Sequence, residues 1–191
     1  MDDRIQDLIN GMAGHAGLLD DAMKLLATGL IFLAVPLMLI LWFWPANAPQ
    51  RALNQRVAGA AVAAVMLALG VASLAGHAYA DARPFVSDPG TRLLVQHSAN
   101  NSFPSDHATV SFAIAGTIIW WRRLAGGLVM FAAALIGLAR VFVGVHWPSD
   151  ILGGAIIGLA VGSIAALSVP RLTCLQRWAA RYLPPWLIAP P

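Results

Sequence analysis

A histidine and an aspartate four residues apart are the first feature of this sequence that could do chemistry. Histidine can act as a nucleophile or as a general acid near neutral pH. If a helix begins near Pro148, His146 and Asp150 lie on the same face of it, because proline suits a first helical turn. A carboxylate bonded to one imidazole nitrogen fixes the tautomer and makes the other nitrogen a better nucleophile. The spacing therefore predicts that His146 is a nucleophile oriented by Asp150.

Three clusters of polar residues stand out, at 81–85, 102–107 and 140–150; the last contains His146 and Asp150, and together they also supply a second histidine and two arginines. His107 could act as a general acid, and Arg83 and Arg140 carry planar guanidinium groups suited to a doubly charged phosphate. Ser105 and Asp106 precede a helix whose free N–H groups favour an anion. This combination predicts a metal-free phosphoryl-transfer site with a phosphohistidine intermediate. The predicted catalytic residues are His146, His107 and Asp150, and the predicted phosphate-binding residues are Arg83, Arg140, Ser105 and Asp106.

Each cluster also has an ordinary structural interpretation when it is taken alone. The Arg-Pro pair at 83–84 could end a helix, the 104–107 run could be a capped helix start, and the 146–150 pair could be an interfacial ion pair. The functional prediction therefore depends on the combination. Three other histidines have no matching partner in the sequence and are interpreted as loop or interface residues: His15, His77 and His97.

The composition indicates a membrane protein. Of the 191 residues, 59% are hydrophobic and only 11% are charged, against about 25% charged residues in soluble domains. These values exclude an ordinary cytosolic domain and a disordered chain. The single cysteine, Cys174, excludes an intrachain disulfide and a cysteine-cluster metal site. The net charge of +3 comes from thinly spread basic residues, so we attribute it to membrane orientation rather than to nucleic-acid binding.

Five apolar stretches predict an all-α integral membrane bundle of about five transmembrane helices with an N-terminal interfacial helix. A membrane span needs about 20 apolar residues. The third stretch is shorter, so it would span only if the polar residues before it start the helix at the membrane edge. The stretches cover residues 25–46, 57–80, 108–121, 124–145 with Arg140 inside it, and 151–170.

The distribution of arginines predicts the orientation of this bundle. With five spans, three segments share one side and contain seven arginines and no acidic residue. Because Lys and Arg accumulate in cytoplasmic loops, we predict that the three polar clusters face the periplasm or outer surface of a bacterial cytoplasmic membrane. The predicted single domain comprises an interfacial helix (1–21), a transmembrane core (22–170) and a cytoplasmic or interfacial tail (171–191).

The three clusters resemble the motifs of the type-2 phosphatidic acid phosphatase superfamily. Those motifs are Lys-x(6)-Arg-Pro, Pro-Ser-Gly-His and Ser-Arg-x(5)-His-x(3)-Asp. Starting at residues 76, 104 and 139, this chain has Gly-x(6)-Arg-Pro, Pro-Ser-Asp-His and Ala-Arg-x(5)-His-x(3)-Asp. The resemblance implies a membrane helix bundle with an outward-facing site that needs no metal or other cofactor.

Beyond the motifs, the chain looks like the bacitracin-resistance-type undecaprenyl-diphosphate phosphatases, through residues 9–11, 102–109 and 140–148. This resemblance implies hydrolysis of undecaprenyl diphosphate, or a related polyprenyl diphosphate, to the monophosphate, which recycles the lipid carrier of the cell envelope. The implied partners are the lipid substrate and the bilayer, without nucleic acid. The alternative substrates for the same site are phosphatidylglycerophosphate, phosphatidate and lipid A, and an alternative activity for it is that of a phosphotransferase. The alternative from another functional class is a small transporter or lipid-flipping protein.

The resemblance gives each candidate residue a role. His146 attacks the terminal phosphorus, Asp150 orients His146, and His107 protonates the leaving oxygen. The phosphoryl oxygens are held, as charge spreads over them, by Arg83, Arg140, Ser105 and the backbone N–H groups near Asp106.

Three positions depart from the family pattern. Gly76 replaces the lysine of the first motif, so one phosphate-binding cation is missing unless His77 or Arg92 substitutes. Asp106 replaces a glycine, and because a carboxylate repels a dianion, we expect it to cap the helix or to orient an arginine. Ala139 replaces a serine. A site short of one cation suits a diphosphate better than a phosphatidate, because the leaving group of a diphosphate needs less protonation.

Overall fold

The computed structural model describes residues 2–191, which form nine α-helices and no β-strand. A 3₁₀ turn, Leu30–Leu33, lies between the second and third helices. The helices are α1 (Asp2–Asn10), α2 (Gly17–Thr28), α3 (Ala34–Phe43), α4 (Ala48–Ala78), α5 (Pro84–Ser87), α6 (Asp106–Ile118), α7 (Arg123–Phe142), α8 (Pro148–Ser168) and α9 (Leu172–Ala179).

Helix α6 lies at the centre of the bundle, packed against α4, α7 and α8. Three glycines four residues apart line the face of α8 that meets α6. A Cβ atom added at Gly154, Gly158 or Gly162 would lie 2.6, 2.5 or 2.4 Å from a backbone oxygen in the 105–113 segment. Small residues at this spacing let two helix backbones approach closely inside a membrane. The two helices therefore run side by side in the same direction, which brings their N-termini together.

We expect the Gly158→Ala variant to be less stable than the wild type. The added Cβ atom would lie 2.5 Å from the backbone oxygen of Thr109, and a backbone cannot yield as a flexible side chain can. Overpacking of this kind destabilises a protein by about 1–3 kcal/mol. Gly70→Ala is the matched control, since nothing lies within 4 Å of a Cβ atom at that position of α4. Equal unfolding temperatures in detergent for the two variants would contradict the close packing.

Three helices are long and apolar enough to cross a membrane: α4, α7 and α8. The first predicted span, 25–46, differs from the structure, because its helix begins earlier, at Gly17, and bends by 47° at the break between α2 and the segment Leu30–Phe43. If this bent pair is one span, the described residues contain up to four. The third predicted span, 108–121, is the 13-residue helix α6, which is about 20 Å long and mostly buried among its neighbours.

The N-terminal helix α1 packs against α7 and α8. Its Asn10 side chain donates to the backbone oxygens of Arg92 (2.9 Å) and Phe142 (2.8 Å) and accepts from the Arg92 backbone N–H. Near its start, the Asp2 carboxylate accepts hydrogen bonds from the backbone and the hydroxyl of Ser149. Helix α1 therefore connects the loop around residue 92 to the turn between α7 and α8 through hydrogen bonds.

The arginine-bearing segments meet at the opposite end of the bundle. Arg122 donates to the side-chain oxygen of Asn54, at 2.6 Å from Nη2 and 3.1 Å from Nε. Gln55 donates to the backbone oxygen of Leu187 and accepts from the backbone N–H of Ala189, so the C-terminal tail folds back onto α4. The arginine-rich segments therefore lie at one end of the bundle, and the segments with the three polar clusters lie at the other.

Candidate active site

The corner between α7 and α8 is a tight turn that presents His146. Gly144 has φ +82°, and a Cβ atom there would lie 2.5 Å from the backbone oxygen of Arg92, so glycine is required both by the turn and by the approach of the neighbouring loop. Pro148 is the first residue of α8, as predicted, and the carboxylate of Asp150 accepts the Trp147 backbone N–H at 2.8 Å. The start of α8 therefore fixes the position of the Asp150 carboxylate.

His146 and Asp150 form a buried pair. Nδ1 of His146 lies 3.2 Å from Oδ2 of Asp150, and the same oxygen accepts the hydroxyl of Ser102. A carboxylate oxygen can only accept, so Nδ1 carries the proton and Nε2 carries the lone pair. Burial lowers the pKa of the His146 imidazole, although the hydrogen bond that the ring donates to Asp150 raises it, so the ring is neutral at neutral pH. A neutral imidazole with an unprotonated Nε2 is the reactive form of a histidine nucleophile.

Arg83 lies directly in front of this lone pair. Its Nη1 is 3.3 Å from Nε2 of His146 and donates to the backbone oxygen of Val145 at 2.8 Å. The rest of the guanidinium is held by the side-chain oxygen of Asn100 (3.0 Å, from Nε) and the backbone oxygen of Asn101 (3.1 Å, from Nη2). A phosphoryl group approaching Nε2 would therefore meet a cation that is already fixed in place.

Arg140 and Ser105 lie buried beside this centre. Nη2 of Arg140 is 2.9 Å from Nε2 of His97, and Nη1 is 3.4 Å from the backbone oxygen of Ala27. Ser105 precedes α6, and its backbone N–H donates to the backbone oxygen of Asp150 at 3.1 Å. Within residues 2–191, neither Nε of Arg140 nor the hydroxyl of Ser105 has a hydrogen-bond partner. Each of these two buried groups therefore has an unused hydrogen-bond donor.

The remaining predicted residues, Asp106 and His107, form the first turn of α6. The Asp106 side chain is exposed and forms no hydrogen bond or ion pair with any of residues 2–191, so the expected helix cap or arginine contact is absent in this part of the chain. His107 is partly buried, and Arg140 and His146 lie near it. The arrangement thus brings both histidines to one end of the bundle.

Four residues at the site were not among the predicted ones: His97, Asn100, Asn101 and Ser102. His97 was interpreted as a loop or interface residue without a partner; the structure corrects this, because its ring contacts Arg140 and lies 6.3 Å, centroid to centroid, from the ring of His146. The sequence signal for the other three is the short polar run that immediately precedes the 104–107 motif.

Gly76 is explained by the same polar run. A Cβ atom at this position would lie 2.8 Å from the backbone oxygen of Phe103 and 3.1 Å from the Asn101 side-chain nitrogen, which donates to the backbone oxygen of Gly76. A lysine therefore does not fit without moving the loop. Neither suggested substitute contacts a predicted site residue among those described: His77 donates to Ser73, and Arg92 contacts the backbone of Ala13 and the ring of His15.

We expect Ser102→Ala to lower kcat about tenfold without unfolding the protein. The variant removes one of the donors to Oδ2 of Asp150, and a hydrogen bond to a charged group contributes about 1.5–3 kcal/mol. Ser168→Ala, at the far end of α8, is the matched control, because its hydroxyl only donates to the backbone oxygen of Ala165. An unchanged kcat in Ser102→Ala, measured by phosphate release, would exclude a role for this contact.

Comparison with known proteins identifies the family. The model of the PAP2 superfamily matches residues 57–174. A protein of Escherichia coli K12 named "Putative undecaprenyl-diphosphatase YbjG" is 38% identical over 160 residues, which cover 83% of this chain and 77% of that protein. The undecaprenyl-diphosphatase BcrC of Bacillus subtilis strain 168 is 29% identical over 155 residues, which cover 81% of this chain and 77% of BcrC.

The fold agrees with these sequence matches. The crystal structure of Aquifex aeolicus LpxE superposes with a TM-score of 0.71 at 25% identity, covering 85% of this chain and 92% of that one. Within residues 2–191 no three His, Cys, Asp or Glu side chains are grouped so that they could hold a metal ion. The family match spans more than half of the chain and contains all three polar clusters, and the chain therefore belongs to the PAP2 superfamily.

Proposed function

We propose that this lipid phosphatase hydrolyses undecaprenyl diphosphate, or a related polyprenyl diphosphate, to the monophosphate and inorganic phosphate through a phosphohistidine. The observation that carries the proposal is the orientation of His146, whose Nδ1 contacts Asp150 while Nε2 points towards Arg83. The names of YbjG and BcrC support the choice of substrate.

The reaction takes two steps. Nε2 of His146 forms a bond to the terminal phosphorus as the bond to the bridging oxygen breaks, and the lipid monophosphate leaves with a proton from His107. A water molecule then attacks the phosphorus of the phosphohistidine, with His107 as the base, which frees His146 and releases inorganic phosphate. The negative charge on the phosphoryl oxygens is stabilised by Arg83, Arg140, the Ser105 hydroxyl and the N-terminus of α6.

The chemistry of the leaving group supports a diphosphate. A diphosphate loses a phosphate monoester, which is stable as an anion, whereas a phosphatidate loses an alkoxide, which needs a proton in the transition state. The packing at Gly76 leaves this site without the lysine of the first family motif. A site with one cation fewer stabilises less charge, so it favours the substrate with the easier leaving group.

A phosphate-release panel tests the proposed substrate. The purified protein is given undecaprenyl diphosphate, farnesyl diphosphate, phosphatidate and phosphatidylglycerophosphate under the same conditions. We expect kcat/KM for the two diphosphates to exceed that for phosphatidate by roughly tenfold or more, which corresponds to about 1.4 kcal/mol. A preference for phosphatidate or phosphatidylglycerophosphate would replace the proposed substrate while leaving the site chemistry intact.

We expect full activity in the presence of EDTA. The proposed site draws its positive charge from arginines. In its buried carboxylate, Asp150, Oδ2 is bonded to His146, Ser102 and Trp147, while Oδ1 has no hydrogen-bond partner within residues 2–191. Mg²⁺ needs several oxygen ligands in an octahedral arrangement, and in the described part of the chain no three His, Cys, Asp or Glu side chains are grouped to supply them. Phosphate release by dialysed protein is measured with EDTA and with added Mg²⁺. Loss of activity in EDTA that Mg²⁺ restores would contradict a metal-free mechanism.

The proposed location is the bacterial cytoplasmic membrane, with the active site facing outward. The support is the separation of seven arginines from the acidic, site-bearing segments. Two exposed positions at opposite ends, changed to cysteine in a Cys174→Ser background, test it: Pro89→Cys near the site and Arg123→Cys at the start of α7. In intact cells an impermeant thiol reagent should label only the variant at position 89. The reverse pattern would invert the topology.

A further inference from the structure

His97 lies in the loop between α5 and α6 and reaches across to α7. Its Nδ1 is 3.1 Å from the backbone oxygen of Ser98, which can only accept, so Nδ1 carries the proton. Nε2 therefore carries a lone pair, and it lies 2.9 Å from Nη2 of Arg140. The two contacts agree on one tautomer, in which neutral His97 accepts a hydrogen bond from the guanidinium of Arg140.

Arg140 has few other contacts that fix its guanidinium. The bond from Nη1 to the backbone oxygen of Ala27 is long, at 3.4 Å, and within residues 2–191 its Nε has no hydrogen-bond partner. Arg83, by contrast, is held by three oxygen acceptors at 2.8–3.1 Å. The shortest contact of Arg140 is thus the one with His97.

The charges around His97 keep it in the accepting form. Burial is the largest effect and lowers the pKa of the His97 imidazole; the hydrogen bond to the Ser98 backbone oxygen raises it by less, and the nearby positive charges of Arg83 and Arg140 lower it further. The other titratable groups close to the ring are His146 and His107. A protonated His97 would repel the guanidinium that it now holds.

We propose that His97 is a positioning residue, which holds the Arg140 guanidinium through Nε2 so that the remaining N–H groups of that arginine face the phosphoryl group. This inference rests on the proposed function. It also explains how the site works with one cation fewer than the family pattern, since packing at Gly76 excludes a lysine and the orientation of the two arginines then matters more.

Two variants of similar polarity separate this role from a merely structural one. In His97→Gln, the amide oxygen can reach the position of Nε2 and still accept from Arg140, whereas in His97→Asn the amide is too short to do so. For His97→Gln, we expect kcat/KM for farnesyl diphosphate to stay within about threefold of the wild type. For His97→Asn, we expect it to fall roughly tenfold or more, because a small displacement of a group that positions the substrate lowers the reaction rate steeply. Gln96→Asn, an exposed neighbour, is the matched control.

A double-mutant cycle identifies the residue through which His97 acts. If it acts through Arg140, His97→Asn adds at most about a twofold loss in an Arg140→Ala background. Losses that multiply, or equal activities of the Asn and Gln variants, would overturn the proposal. The inhibition constant of vanadate is measured in parallel, because only folded protein binds this inhibitor. Vanadate should bind more weakly to His97→Asn than to the wild type, and equally well to His97→Gln. A wild type that hydrolyses no lipid diphosphate overturns the proposed function instead.

Discussion

Replacing His146 with alanine is expected to abolish phosphate release, with a loss of at least about 10³-fold in kcat, and to abolish the phosphoenzyme. The imidazole supplies the atom that bonds to phosphorus. Within residues 2–191, the other hydrogen-bond partners of the Arg83 guanidinium are amide and backbone oxygens, which are not nucleophiles. Because these contacts of Arg83 do not depend on the imidazole, KM should change much less than kcat.

The measurement uses farnesyl diphosphate labelled in its terminal phosphate. Wild-type protein quenched within the first turnover should carry label that is stable to alkali and lost in acid, which is the behaviour of a phosphoimidazole. The His146→Ala variant should carry none with any substrate, while its unfolding temperature in detergent shows that it is folded. Label that persists in folded His146→Ala protein would show that another residue is the nucleophile.

The long helices of this fold could be predicted from hydropathy, but their breaks could not. Residues 25–46 are uniformly apolar, so their composition indicates one continuous span. The bend next to Gly29 cannot be predicted from that pattern, because glycine is common in membrane helices. The break depends on what α2 and the Leu30–Phe43 segment pack against. The sequence does show that the third apolar stretch is short, but it does not show that the resulting helix α6 is surrounded by neighbouring helices rather than by lipid.

The central pair of the site could be predicted because it is local. His146 and Asp150 lie one helical turn apart, and Pro148 fixes where that turn begins. The contact between His97 and Arg140 spans 43 residues of sequence and depends on the path of a loop without periodic pattern. The loop is held by Asn10 of α1, whose side chain bonds to Arg92 and to Phe142 at the end of α7. No spacing rule connects such distant segments.

Replacing His107 with alanine is expected to damage the hydrolysis of alkyl phosphates more than the hydrolysis of diphosphates. If His107 protonates the leaving oxygen, its loss matters most where that oxygen leaves as an alkoxide, as in phosphatidate. A diphosphate releases a phosphate monoester that needs little protonation. The loss of rate with phosphatidate, divided by the loss with farnesyl diphosphate, should therefore be roughly tenfold or more, within the 10²–10⁴-fold range of general acid catalysis.

This ratio is measured on phosphoenzyme formation by rapid quench, since His107 also has a proposed role in the later attack by water, and a slow second step would mask the difference. Asp106→Asn is the comparison variant. Asp106 precedes His107 in the first turn of α6, and its side chain has no hydrogen-bond or ion-pair partner within residues 2–191, so it would affect the phosphoryl group only through its negative charge. Because both substrates carry that group, removing the charge should change both rates by a similar factor. Equal losses for the two substrates in His107→Ala would remove this histidine from the general-acid role and leave it as a phosphate-binding residue.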